Sequence, residues 1–199
     1  MTGTGLGVGD GSIVVRPRLI VVAGPSGVGK TSVLTELRRR YPDIYFSVSV
    51  TTRPPRPGEV NGSHYHFVDN ATFDKLVGEN QLLEHAEYAG NRYGTPRRPV
   101  EQALDQGKPA ILEIEVQGAR QVRAAWPSAF MVMIQPPSWT VLVERLTSRG
   151  TENPEIVERR LAAAKDELSA SDEFDAVVVN ADVRAAADEL LTLIAQSPS

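Results

Sequence analysis

Between residues 19 and 32 the chain reads LIVVAGPSGVGKTS, and the stretch Gly24-Pro25-Ser26-Gly27-Val28-Gly29-Lys30-Thr31-Ser32 carries the types and spacing that can hold phosphate. Glycines have no Cβ in the way, so successive backbone N–H groups can curl around phosphate oxygens. Lys30 adds a point charge toward the outer phosphates of a nucleoside triphosphate, and the Thr31 hydroxyl can ligate Mg²⁺. The flanks agree with this reading. Leu19 to Val22 form an apolar, strand-like run, and Val33, Leu34 and Leu37 recur at helical spacing until Tyr41-Pro42. A helix N-terminus would therefore face the anion.

Other residues could also do chemistry, each with a plainer alternative. Arg53 and Arg56 lie in a proline-stiffened loop, with Ser49, Tyr65 and Tyr93 as neighbouring candidates. Guanidinium forks match phosphate oxygens bidentately and phenols donate without adding charge, yet two such arginines alone also describe a solvated basic turn. Glu84 alone reads as an ordinary half-exposed strand glutamate. Glu113 and Glu115, two apart in an expected strand over 109–116, share a face, with Leu112, Ile114 and Val116 on the other. They are either ligand-facing at a strand's C-terminal end or a satisfied ionic cluster. Arg145 and Arg149 are spaced i, i+4, and Arg159-Arg160 follow on the next helix. Asn180 is either a ligand contact or a helix cap. His64, His66 and His85 do not have metal-ligand spacing on a helix and read as structural.

The elements that must position these groups alternate. Strands are expected at 18–23, 109–116, 129–134 and 176–179, and helices at 29–40, 96–106, 117–125, 138–148, 154–169 and 182–195, which argues for a parallel sheet covered on both faces. From 47 to 95 the texture changes to short β-like pieces, YHFV and LLEHAEYAG, around one short helix, as in a small mixed insertion. Residues 1–17 read as a disordered Gly-rich tail. Five alternating glycines occur in its first 12 residues, but no strand precedes them, so they are not a dinucleotide fingerprint.

Composition sets the outer limits. The 199 residues suit one domain with a core of its own, 41% being hydrophobic and 23% charged. There is no cysteine, so disulfides, thiolate zinc and thiol nucleophiles are excluded. A net charge of −4 argues against a nucleic-acid partner. No apolar run approaches a membrane span and no signal-peptide pattern is visible, so the expectation is a cytoplasmic protein without a membrane partner. The oligomeric state stays open.

Taken together, Ser49-x-Thr51-Thr52-Arg53-x-x-Arg56-Pro57-Gly58-Glu59, Gly62-x-x-Tyr65, Leu83-Glu84-His85-Ala86, Tyr93-Gly94-Thr95, the Ile111–Gly118 segment and Arg149-Gly150-Thr151-Glu152 resemble the guanylate kinases over roughly residues 18–195. The resemblance implies a P-loop three-layer α/β fold: a central parallel sheet in 18–46 and 96–199, a helical lid at about 138–169, and an inserted mixed β/α subdomain for a nucleoside monophosphate at 47–95. It implies transfer of the ATP γ-phosphate to GMP with Mg²⁺. ATP would lie on residues 24–32, Arg145, Arg149 and Asn180. GMP would lie on Ser49, Arg53, Arg56, Tyr65, Glu84, Tyr93, Thr95, Glu113 and Glu115, with Thr31 and Glu113 at the metal. Lys30, Arg53, Arg149 and Arg160 would carry catalysis. Within this reading Glu84 accepts from guanine N1–H and the 2-amine, an edge adenine lacks, and Thr95 donates to O6. Many relatives have Asp at 113 and 115. Two other classes fit the fold: a guanylate-kinase-like docking module without catalysis, which typically lacks an intact phosphate loop, and a P-loop kinase for another phosphorylated small molecule.

Overall fold

The computed structural model describes residues 16–88, 90–147 and 154–195. Most of the 1–17 tail, Arg149 and the 150–152 turn lie outside these residues. The central sheet is built on β1 (Leu19–Ala23), whose five side chains are all buried. Its alternation divides the interior. Ile20 and Val22 join one apolar cluster, while Leu19, Val21 and Ala23 join another on the opposite face. A strand apolar on both faces belongs in the middle of a covered parallel sheet.

Around it lie β2 (Tyr45–Phe46), β7 (Ala110–Glu113), β8 (Phe130–Gln135) and β9 (Ala176–Val179), in the order β2-β7-β1-β8-β9 and all parallel. The phosphate loop leaves β1 between β7 and β8, at the carboxyl ends where open α/β sheets bind ligands. One face is covered by α1 (Lys30–Arg40), α5 (Trp139–Thr147), α6 (Pro154–Ser169) and α7 (Val183–Ala195). The other is covered by α3 (Arg97–Asp105) and α4 (Val116–Ala125). Helix α1 buries Val33, Leu34 and Leu37 and ends in Arg38, Arg39 and Arg40, which suit the negative end of its dipole.

A second sheet has the order β4-β3-β6-β5, from β3 (Val50–Thr51), β4 (His66–Phe67), β5 (Leu82–Tyr88) and β6 (Asn91–Pro96). Strands β3 and β4 run parallel, and β6 pairs antiparallel with both β3 and β5. Helix α2 (Asn70–Gly78) starts where the Asp69 carboxylate accepts from Thr72 N–H at 2.7 Å, and it seals Phe73 against Val50 and Leu82.

Two expectations need correction. The strand expected over 109–116 pairs only as far as Glu113, and Glu115, still extended, caps α4. Leu112 and Ile114 are buried together, but Val116 opens the helix and packs with Met133 and Ala170. The edge strand Tyr45–Phe46 is an addition to the expected set, being two residues long and too short to show a period.

Candidate active site

The phosphate loop is shaped by what surrounds it. Gly24 has φ +142°, and a Cβ there would lie 2.2 Å from the Ile134 carbonyl oxygen on β8. Gly29 caps α1 at φ +90°, and a Cβ would meet Asn180 Nδ2 at 2.5 Å. Glycine is therefore required at both positions. Lys30, 9% exposed, donates from its ammonium to the carbonyl oxygens of Gly24 and Pro25, which folds it over the loop. The Thr31 hydroxyl, one residue into α1, donates to Glu113 Oε1 at 2.6 Å, so the end of β7 meets the start of α1. Ser32, on the next position, is exposed.

Helices α5 and α6 also reach this loop. Arg145 of α5 donates to Val28 O and Asn180 O, each at 3.2 Å, and Arg160 of α6 donates to Ser26 Oγ at 3.2 Å. Asn180, 2% exposed, donates Nδ2 to Val28 O at 2.7 Å, while its Oδ1 is buried without a partner among the described residues. Arg145 and Asn180 thus brace one carbonyl of the loop from two elements, and Asn180 does not cap α7 with its side chain. Asp182 takes that place, accepting from the N–H groups of Arg184 and Ala185. Asn180→Ala is expected to lower stability by about 1 kcal/mol, because the Val28 carbonyl loses the shorter of its two hydrogen bonds and keeps the one from Arg145. Thermal melting checks this.

Glu115 lies beside the loop as well, with Oε1 3.9 Å from Lys30 Nζ. Burial pushes the Glu167 carboxyl of α6 upward, and its hydrogen bond with Glu115 and the charge of that carboxylate push it further. Nothing in the sequence marks Glu167, which lies far along the chain from Lys30 and carries no motif.

The second group gathers in the smaller sheet. Arg53 Nη2 donates to Glu59 Oε1 at 2.8 Å, Nη1 donates to Pro54 O at 2.7 Å, and the guanidinium stacks 5.4 Å from the Tyr65 ring. Tyr65 in turn meets Tyr93 edge-on, with centroids 6.0 Å apart. Ser49 joins through its backbone, its carbonyl accepting from His66 N–H. Glu59 also accepts from Arg56 N–H at 2.6 Å. The Arg53 guanidinium and the Arg56 N–H together hold the Glu59 carboxyl down to about 2. The sequence motif includes Glu59 but assigns it no task; its place six residues after Arg53 is the available signal. The Arg56 side chain is exposed.

Glu84 is the most unusual side chain in this group. It is 6% exposed and accepts from the Thr95 hydroxyl at 2.7 Å. Pairing of β5 with β6 slips between Leu82↔Pro96 and His85↔Gly94, so Leu83 and Glu84 both oppose Thr95. This bulge breaks the alternation: Leu82 enters the small cluster around Phe73, Leu83 enters the main core, and Glu84 turns to Thr95. Gly94 permits it, since a Cβ there would lie 2.8 Å from Leu82 Cδ1 and 3.0 Å from the Glu84 carbonyl oxygen. Burial raises the Glu84 carboxyl to about 7, although the Thr95 hydrogen bonds pull the other way.

Two polar clusters thus sit on two sheets, one built on a phosphate loop and one on a buried carboxylate with an arginine-tyrosine set. The sequence model of the family described as guanylate kinase matches residues 16–197. The chain belongs to the guanylate kinase family. A guanylate kinase of Thermobifida fusca is 62% identical over 89% of this chain and 91% of its own length. One of Streptomyces coelicolor is 57% identical over 89% and 90%. A crystal structure of guanylate kinase from Anaplasma phagocytophilum superposes with a TM-score of 0.74 at 32% identity, covering 90% of this chain and 85% of that one. The α/β fold with a central parallel sheet accords with that likeness.

Proposed function

We propose that this protein is an ATP:GMP phosphotransferase, converting ATP and GMP to ADP and GDP by direct in-line transfer. Family membership supports the reaction, and the buried Glu84–Thr95 pair is the single observation that carries the choice of acceptor. Guanine offers N1–H and a 2-amine to one carboxylate. Thr95 has only one hydroxyl proton, which Glu84 takes at 2.7 Å. When guanine's own donors occupy Glu84, that proton is released for guanine O6. Adenine has an acceptor at N1 and no 2-amine, and would leave Glu84 desolvated and unmatched.

In this reading Arg53, Arg56, Tyr65, Tyr93 and Ser49 hold the GMP phosphate, in the segment 47–95 that works as the acceptor subdomain. Residues 24–32 hold the ATP phosphates. A GMP phosphate oxygen attacks the γ-phosphorus, the bond to the bridging oxygen breaks, and ADP leaves with that electron pair. Lys30 and the lid arginines Arg145, Arg149 and Arg160 neutralise charge on the transferring group, Arg145 through the loop it braces. Asn180 Oδ1, buried without a partner among the described residues, is suited to an amine donor such as that of adenine. Glu113 and Glu115 belong to the GMP site in the same reading, Glu115 with its carboxylate 3.9 Å from Lys30 Nζ. Closure of both the acceptor subdomain and the lid excludes water, which would otherwise hydrolyse ATP.

The Thr31 hydroxyl and Glu113 carboxylate are two hard oxygen donors in mutual contact, which fits Mg²⁺ with the remaining ligands from phosphates and water. When bound there, Mg²⁺ would offset charge on the β- and γ-phosphates. Among the described residues no helix is long and apolar enough to cross a membrane, in keeping with a cytoplasmic enzyme acting on free nucleotides.

A coupled assay of ADP release with GMP, IMP, AMP, CMP and UMP tests the proposal. The expected result is saturable turnover with GMP, less with IMP and little with the rest. Turnover indifferent to the base would point to another acceptor, and none with any of them to a docking module.

A further inference from the structure

Strand β5 ends the order β4-β3-β6-β5, so its outer edge has no strand neighbour among the described residues. Helix α4, from the face of the main sheet, fills part of that edge with a side chain. His85 N–H donates to Gln121 Oε1 at 3.1 Å, and Gln121 Nε2 donates to His85 O at 2.8 Å. A single amide thus reproduces the donor–acceptor pair that a neighbouring strand would offer. The residue it fixes follows Glu84 directly, at the point where β5 resumes pairing after its bulge.

One turn earlier on α4, Gly118 faces the carboxylate itself. A Cβ at 118 would lie 2.6 Å from Glu84 Oε2 and 3.1 Å from its Cδ. The space Glu84 occupies is therefore left by the missing side chain of Gly118. One face of α4, at positions 118 and 121 (i, i+3), addresses Glu84 twice, once through its side chain and once through its main chain.

We propose that Gln121 and Gly118 are positioning residues that set base selectivity without touching the nucleotide. Gln121 pins the main chain after Glu84, and Gly118 provides the room in which its carboxylate meets the purine. This rests on the reading that Glu84 recognises guanine. A bidentate contact to N1–H and the 2-amine is sensitive to small displacements, and a shift of about 1 Å in a positioned group can cost as much as 10²-fold. IMP keeps N1–H but lacks the 2-amine, so a displaced carboxylate erodes the advantage of GMP over IMP before it erodes use of IMP.

The test is Gln121→Leu, with Gln121→Glu and Gly118→Ala beside it, read by KM for GMP, KM for ATP, the GMP:IMP ratio of kcat/KM, and melting temperature. Gln121→Leu is expected to raise KM for GMP about tenfold, the worth of one good hydrogen bond, and to shrink the GMP:IMP ratio while KM for ATP holds. Gln121→Glu keeps the acceptor for His85 N–H and loses the donor, so it should fall between wild type and Gln121→Leu. Gly118→Ala should act more strongly. If it fails to fold, Gln121→Leu, a change at a half-buried site, decides. An unchanged GMP:IMP ratio in Gln121→Leu overturns the proposal, even if melting falls or both KM values rise together. A wild-type enzyme with no preference for GMP over IMP would instead overturn the assignment of Glu84 itself.

Discussion

Replacing Lys30 with alanine is expected to cut kcat for GMP phosphorylation by about 10³-fold or more, since a preorganised donor aimed at developing charge is worth about 10²–10³ and Lys30 carries a full charge as well. The fold should survive. Lys30 is the first residue of α1, alanine is the best helix former, and the apolar anchors Val33, Leu34 and Leu37 are untouched. Alanine removes the hydrogen bonds that the ammonium donates to the Gly24 and Pro25 carbonyls, worth about 1 kcal/mol. Steady-state ADP formation, with a melting curve on the same preparation, checks both halves. A well-folded variant turning over at the wild-type rate would show that Lys30 only supports the loop.

Glu84→Gln should separate function from stability. Activity with GMP should drop about 10³-fold in kcat/KM, because two charge-assisted hydrogen bonds are replaced by an amide whose N–H₂ opposes guanine's donors. ATP binding should hold. Stability should move the other way, and pH gives the sign. The folded carboxyl titrates at about 7, above its ordinary value of 4.5. Between these values the native state binds more protons than the unfolded chain, so wild-type stability falls as pH rises. Below about 4.5 the carboxyl is neutral in both states and costs nothing by this route. Above about 7 the native state carries the full cost of a buried charge that the Thr95 hydrogen bonds only partly offset, on the order of 3 kcal/mol. Glu84→Gln should therefore melt higher than wild type at pH 8 and close to it at pH 4.5. The same titration implies that wild-type KM for GMP rises as pH drops below 7. Parallel melting differences at both pH values would contradict the burial argument.

That trade-off explains why the sequence could name Glu84 and not describe it. Leu82-Leu83-Glu84-His85 reads as a plain strand segment because the alternation rule assumes an unbroken ladder. The bulge that turns Glu84 to Thr95 depends on Gly94, ten residues away, and on Gly118 in another element. The strand-loop-helix form around Gly24–Gly29 was legible because its residues lie in one contiguous stretch with a strand before it and a helix after it. The helices of the main layer were legible for a related reason, since each carries its own apolar stripe. Glu115 was only half legible: its period-2 spacing from Glu113 was real, but the ladder stops at Glu113 and Glu115 turns toward Lys30 and Glu167. Glu59 and Gln121 act on groups brought near by the fold, and a periodic pattern holds no trace of such partners.

The central claim is that two anion sites face each other closely enough for one phosphoryl group to pass between them. Calorimetry with adenosine and guanosine joined 5′ to 5′ through a polyphosphate chain tests it most directly. The expected result is one molecule bound per chain, tighter than ATP or GMP by several orders of magnitude, with the gain lost in Glu84→Gln and in Lys30→Ala alike. Binding no tighter than ATP alone, or unaffected by Glu84→Gln, would mean that the two sites do not act on one reaction.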